Sequence, residues 1–359
     1  MIFTPASLIR NLFASRKSGA SREKRLRGFL SRQLNRSAQW SWVVAPRAEE
    51  LENRTLLSAI TIVDGLLEYT STTANTLTVT LVDQGDADPT NDVYRFVDAE
   101  NITVTGGEGV TGSGTTTVNV PVAEITSVSI DMGDDGSATI GGLTLEGDLT
   151  VIARSLVLDN GGISSENTIN IEVVKTITNA NDEVEGIALS ATDLVMTTTG
   201  SGSAIGTSTT PITTSLGSLT AITNDGGVFV SDFRSNDEDS GLVISNVLVK
   251  ENGFAPLVNG SNQVVVRDSD SDSNPGAGSF DFMISSNGNI VVQTVTAPDT
   301  VTIVANGGMI LDANQVTGNV LGRTVTLTAE ESIGQQPDPG LMKTVNSLCR
   351  VLLRGGVLN

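Results

Sequence analysis

The stretch Gly186–Val230, GIALSATDLVMTTTGSGSAIGTSTTPITTSLGSLTAITNDGGVFV, most narrowly limits what this chain can become. It is a series of short apolar, Thr-rich runs separated by Gly, Ser and Asn. Parts of its second half return near the end of the chain. Ile205-Gly206 reappears as Ile333-Gly334, Ser218-Leu219 as Ser347-Leu348, and Gly226-Gly227-Val228 as Gly355-Gly356-Val357. A self-match at a long offset, about 128 residues, built from strand-sized pieces predicts a repetitive β architecture rather than a catalytic domain.

The same grammar extends over most of the sequence. From Ala59 onward come Ile60-Thr61-Ile62-Val63, Leu66-Leu67-Glu68-Tyr69-Thr70 and Leu77-Thr78-Val79-Thr80-Leu81-Val82. Thr117–Val120, Ser127–Ile130, Leu149–Ile152 and Leu156–Leu158 continue the series. Each is a short β-branched run bounded by Gly, Asn or Asp, and alternation with Thr or Ser turns one face inward and one to water. Helix-period segments are missing after Ala59.

The punctuation repeats as well. Asn160-Gly161-Gly162-Ile163, Asn224-Asp225-Gly226-Gly227-Val228 and Asn306-Gly307-Gly308-Met309 each separate two such runs. Gly and Asn tolerate the positive φ that a sharp corner requires. Two architectures use such corners: hairpins of a β-sandwich array, and a parallel β-helix. No Trp follows Trp42, and aromatics are only 4% of the chain, whereas a sandwich commonly carries a central Trp. Small corners and a ladder of Val, Ile and Leu favour an all-β fold of the right-handed parallel β-helix type, with a narrow core of stacked rungs.

Charge divides the chain in two. Residues 1–58 hold 11 Lys/Arg and 4 Asp/Glu, whereas the remainder holds 10 basic and 37 acidic residues. An acidic body repels nucleic acid and anionic lipid, so neither is an expected partner. There is no run of 18 apolar residues, so no transmembrane span is expected. There is no His, which removes Ser-His-Asp and Cys-His catalysis and His-containing zinc sites. The single cysteine, Cys349, cannot form an intramolecular disulfide.

Within the basic head, Leu8, Ile9, Leu12 and Phe13 fall at helical spacing, as do Leu26, Phe29, Leu30 and Leu34. They are surrounded by Arg and Lys, which predicts a basic helical or disordered N-terminal segment over 1–59. The apolar core of an ordinary secretory signal is absent. Next comes Leu51-Glu52-Asn53-Arg54-Thr55-Leu56-Leu57-Ser58-Ala59. This run resembles the LEPR-XLL signature near the N-termini of large repetitive bacterial surface and exported proteins. Leu51, Glu52, Arg54, Leu56 and Leu57 match it, while Asn53 stands where the signature has proline. The resemblance covers roughly the first 60 residues. It implies a sorting role, contact with export machinery, and a cell-surface or secreted location.

A second likeness lies further on. Gly288-Asn289-Ile290, Val301-Thr302-Ile303-Val304-Ala305 and Val325-Thr326-Leu327-Thr328-Ala329 resemble rungs of filamentous-haemagglutinin-type adhesins. The likeness spans about residues 140–345 and implies architecture more than activity. That family's N-terminal secretion domain has no counterpart here, so two-partner secretion does not carry over.

Acidic loops are the candidates for site chemistry: Asp83, Asp86, Asp88 and Asp92; Asp131, Asp134 and Asp135; Asp237, Glu238 and Asp239; Asp268, Asp270 and Asp272. Calcium takes oxygens from carboxylates closely spaced on a loop, and Asp268-Ser269-Asp270-Ser271-Asp272 opens as such loops do. The EF-hand ending is missing: Ser273 and Ser279 stand where Gly and Glu would. Calcium is therefore the one cofactor expected, with the solvated acidic loop as the structural alternative. Paired carboxylates such as Asp134 with Asp135, or Asp237 with Asp239, could serve a β-helix polysaccharide lyase or hydrolase. Few aromatics and few basic residues are available to build a sugar-binding groove, so an enzyme is the second reading.

After Ser347-Leu348, Cys349-Arg350-Val351-Leu352-Leu353-Arg354 departs from the Thr-rich composition. The expected organisation is therefore a leader at 1–59, β-rich N-terminal strands capping a solenoid at 60–140, β-helix repeats at 141–348, and an atypical tail at 349–359. The ending suggests a truncated or frameshifted piece of a longer repetitive protein. The expected function is non-enzymatic: a surface structural or adhesin-like protein touching cell envelope, matrix or polysaccharide through extended surface.

Overall fold

The computed structural model describes residues 58–85, 91–180, 186–234, 241–251, 253–258, 264–265, 280–313, 319–334 and 348–353. The expected leader, apart from Ser58 and Ala59, lies outside the described residues. What is described is all-β, with no α-helix, and its strands form one 26-stranded mixed sheet and a separate two-stranded one.

The first strands pair mostly antiparallel. β1 (Ser58–Val63) and β2 (Leu66–Thr70) make a hairpin through Asp64-Gly65. β3 (Thr76–Val82), β4 (Val93–Thr105) and β5 (Thr115–Pro121) follow as antiparallel neighbours, and β1 lies parallel to β4. The core here is aromatic. Tyr69, Tyr94 and Phe96 are fully buried, and the rings of Tyr69 and Phe96 stack 6.4 Å apart.

Parallel pairing then takes over. The next strands are β6 (Ser127–Asp131), β7 (Ser137–Ile140) and β8 (Leu143–Leu145). β9 (Leu149–Ala153), β10 (Ser155–Leu158) and β11 (Ile163–Ser165) lie beside them in the same order. β12 (Thr168–Val173), β13 (Thr176–Asn179) and the start of β14 (Leu189–Thr198) form the next set. β2 and β3 head two of these ladders by pairing in parallel with β6 and β7. Parallel ladders, rather than the hairpins of a sandwich, thus make up the body of the sheet.

The rest of β14, β15 (Ala204–Ile205) and β16 (Ile212–Thr223) continue all three ladders. At β17 (Val228–Asp232) the pattern changes. Val228 pairs with Ile205 of one ladder, while Val230–Asp232 pair with Ile212–Thr214 of another. Two ladders therefore merge into one strand. β18 (Leu242–Val249), which pairs with the rest of β16, does the reverse. After the small β19 (Leu257–Val258) and β20 (Val264–Val265) hairpin and β21 (Phe282–Ser286), β18 is matched by two strands. These are β22 (Ile290–Val292) and β23 (Val295–Thr296).

Three ladders then run to the end. β21 leads to β24 (Thr300–Ala305), β27 (Thr324–Ala329) and β28 (Leu348–Leu353). β25 (Ile310–Asp312) and β26 (Val320–Leu321) extend the other two. The segment whose composition leaves the repeat pattern, Cys349 included, is thus still a ladder strand.

Alternation explains the core. In β24 and β27 every second residue is buried: Val301, Ile303 and Ala305, then Val325, Leu327 and Ala329. Stacked in register, such residues make one continuous apolar cluster from Ile60 to Ile333, with strands in a ring around it. Ile130, Val151, Ile171, Met196 and Ala221 follow one another down a single ladder. That is one rung per roughly 20 to 25 residues, the range of solenoid repeats. The long-offset self-match therefore spans several rungs. It also equates non-equivalent positions, because Leu219 pairs with Leu194 and Ile244 whereas Leu348 pairs with Thr324. The corners read from sequence do close rungs. At Gly226 the chain passes so near its neighbour that a Cβ would sit 1.8 Å from the Ser203 carbonyl oxygen.

Candidate functional site

The sequence-predicted sites fall largely elsewhere than the described residues. Leu51, Glu52, Arg54, Leu56 and Leu57 lie outside them, as do Asp268, Asp270 and Asp272, and Asp86, Asp88 and Asp237–Asp239. The acidic loops that are described are occupied with their own turns. Asp83 accepts the Gly85 N–H at 2.6 Å, Asp92 the Gln84 N–H at 3.1 Å, and Asp131 the Gly133 N–H at 2.9 Å. Asp134 and Asp135 are exposed on that last turn. Among the described residues, no group of three His, Cys, Asp or Glu is placed to hold a metal ion.

The notable polar groups are buried instead. On β4, Tyr94, Phe96 and Asp98 share a parity, so Asp98 enters the aromatic first layer. It is 4% exposed. Its carboxylate accepts hydrogen bonds from the hydroxyls of Ser58 and Tyr69, from Asn75 Nδ2 at 2.5 Å, and from the Glu100 N–H at 3.1 Å. Burial first, and then the Asp98 hydrogen bond, push the Tyr69 hydroxyl well above the ordinary tyrosine range. Burial likewise raises Tyr94, whose hydroxyl donates to the Thr144 carbonyl at 2.6 Å.

On β17 the same parity turns Asp232 inward after Val228 and Val230. One oxygen accepts the Thr214 hydroxyl and the Leu216 N–H, both at 3.1 Å, and the other accepts the Ser286 hydroxyl at 3.1 Å. Burial raises its carboxyl above the usual range. A further buried pair joins Asn319 Nδ2 to Asp312 Oδ1 at 2.5 Å, with no hydrogen-bond partner for Asn319 Oδ1 among the described residues. These inward carboxylates went unread in sequence, although the strand period that buries Tyr94 and Val230 also buries them.

No family model, curated protein or solved structure matches this chain.

What the molecule presents outward is regular. Thr144, Ser164, Ser190 and Ser215 occupy successive register positions of one ladder. Ser129, Thr150 and Asn170 do so in another, and Thr300 and Thr302 lie beside Thr324 and Thr326. Adjacent strands are about 4.8 Å apart, so each row sets neutral hydroxyl and amide groups at that spacing. Two of the described cations bond the chain itself. Lys175 donates to the Ser201 carbonyl at 2.7 Å, and Arg234 to that of Leu216 at 2.8 Å. Such an arrangement offers repeated hydrogen bonding to an extended partner rather than a single reactive centre.

Proposed function

We propose that this is a cell-surface or secreted structural, adhesin-like protein that works through the outward faces of its ladders. In this reading the ladders wind as a right-handed parallel β-helix. Crossovers between parallel strands of one sheet are right-handed in about 98% of cases, which supports that hand. The observation that carries the functional reading is the in-register rows of Thr, Ser and Asn on unbroken parallel ladders. Small, neutral side chains at fixed spacing suit contact with cell envelope, matrix or polysaccharide. The basic segment and Leu51, Glu52, Arg54, Leu56 and Leu57 would direct export, and calcium at Asp268, Asp270 and Asp272 belongs to the same reading.

Whole-cell protease shaving with fractionation tests it, using an antibody to residues 60–340. The expected result is a surface-exposed or released product, shortened by about the length of the leader. A full-length product confined to the cytoplasm would sink the proposal.

A further inference from the structure

Asp232 sits where the ladders change partners. β17 receives two ladders on one side, through Ile205 and Ile212–Thr214, and hands a single ladder to β21 on the other. In register across this junction lie Thr214, Asp232 and Ser286, all buried. The same position is Leu189 one rung earlier, and Ala305 and Ala329 in later rungs. An ionisable side chain thus replaces aliphatic ones where two ladders merge into one strand, and it ties three successive rungs by side-chain hydrogen bonds.

The strands paired with β17, which are β15, β16 and β21, contain no ionisable residue, and neither does β18. The nearest charged groups in the flanking segments point to backbone: Asp225 to the Gly202 N–H at 2.7 Å, Asp281 to the Thr300 N–H at 2.9 Å, and Arg234 to the Leu216 carbonyl. Of the groups around Asp232, the backbone N–H groups of Leu216 and Arg234 are obligate donors. The Thr214 and Ser286 hydroxyls can turn to donate or accept, so they can receive the proton of a neutral carboxylic acid as well as donate to a carboxylate.

We propose that Asp232 is a proton-operated clamp: protonated, it holds β16, β17 and β21 in stack; ionised, it loosens the junction. The sign follows from linkage. Burial favours the neutral acid in the folded state, so the stabilisation is complete below the unfolded carboxyl range, near 3.9. It is lost as pH rises through the higher folded range.

The test compares the full chain with Asp232→Asn, which is permanently neutral and nearly isosteric. Melting temperatures are measured from about pH 4 to pH 8. The variant should gain on the wild type as pH rises, by roughly 2–4 °C over the range. Amide exchange in β17 and β21 should be slower in the variant at neutral pH, with β9 and β12 unchanged. Parallel melting profiles with equal exchange would overturn the proposal. Should the variant fail to fold, the carboxyl-carbon NMR titration of Asp232 in the wild type decides. Ionisation within the ordinary aspartate range, with β17 protection unaltered, would also overturn it.

Discussion

Tyr69 and Tyr94 are the only tyrosines in the sequence, and both are buried in the first strands with their hydroxyls hydrogen-bonded. Ionising Tyr69 would put a phenolate against the Asp98 carboxylate in the aromatic layer, and ionising Tyr94 would put one against the Thr144 carbonyl oxygen in the buried core. The folded state therefore prefers the protonated phenol more than the unfolded chain does. This stabilisation is complete below about pH 10 and is lost as pH rises toward the higher folded range. Phenolate absorbance should accordingly stay absent until the β circular dichroism signal collapses, and then appear in the same transition. Tyr69→Phe should cost about 1 kcal/mol at neutral pH, for the hydrogen bond lost, and delay the alkaline transition. Phenolate forming near pH 10 with the β signal intact would contradict this burial.

β5 is the outermost of the antiparallel strands, paired to β4 alone among the named strands, and such an edge invites pairing with another chain. The chain covers part of it with its own loop. Thr111 and Asn119 exchange backbone hydrogen bonds, each 3.0 Å long. The loop depends on Gly112, whose φ is +88° and where a Cβ would lie 2.1 Å from the Thr117 carbonyl oxygen. Gly112→Val should release the loop at a cost of roughly 1–3 kcal/mol and expose the edge. Concentration-dependent self-association in sedimentation velocity is the expected outcome, and a strictly monomeric variant would show that the loop guards nothing. This element marks the limit of sequence reading. The period of two and the Asn-Gly-Gly corners make the body's strands legible, because each depends on near neighbours. The 13-residue β4, and the merging of two ladders at β17, depend on partners distant in sequence. Asp98 and Asp232 were hidden for a different reason: a carboxylate in an alternating run reads as an outward residue until its parity is counted.

For the molecule as a whole, charge is the term left uncompensated. Beyond residue 58 there are 37 acidic and 10 basic residues. Arg323 lies 3.8 Å from Asp299, but Arg95 is directed to the Asn119 amide, and Lys175 and Arg234 to carbonyls. With so few cations beyond residue 58, the repulsion among the acidic groups is spread over the body instead of being neutralised in pairs. Salt should relieve it. Lengths over which charges act fall from about 30 Å at 0.01 M to about 10 Å at 0.1 M ionic strength. Raising sodium chloride through that range at pH 7 should therefore lift the melting temperature by roughly 3 °C or more. The same titration near pH 4, where many carboxylates are already protonated, separates the causes. A much smaller salt response there identifies carboxylate repulsion as the destabilising term. Equal responses at both pH values would assign the salt effect to apolar burial instead, and the acidic excess would then carry no stability cost.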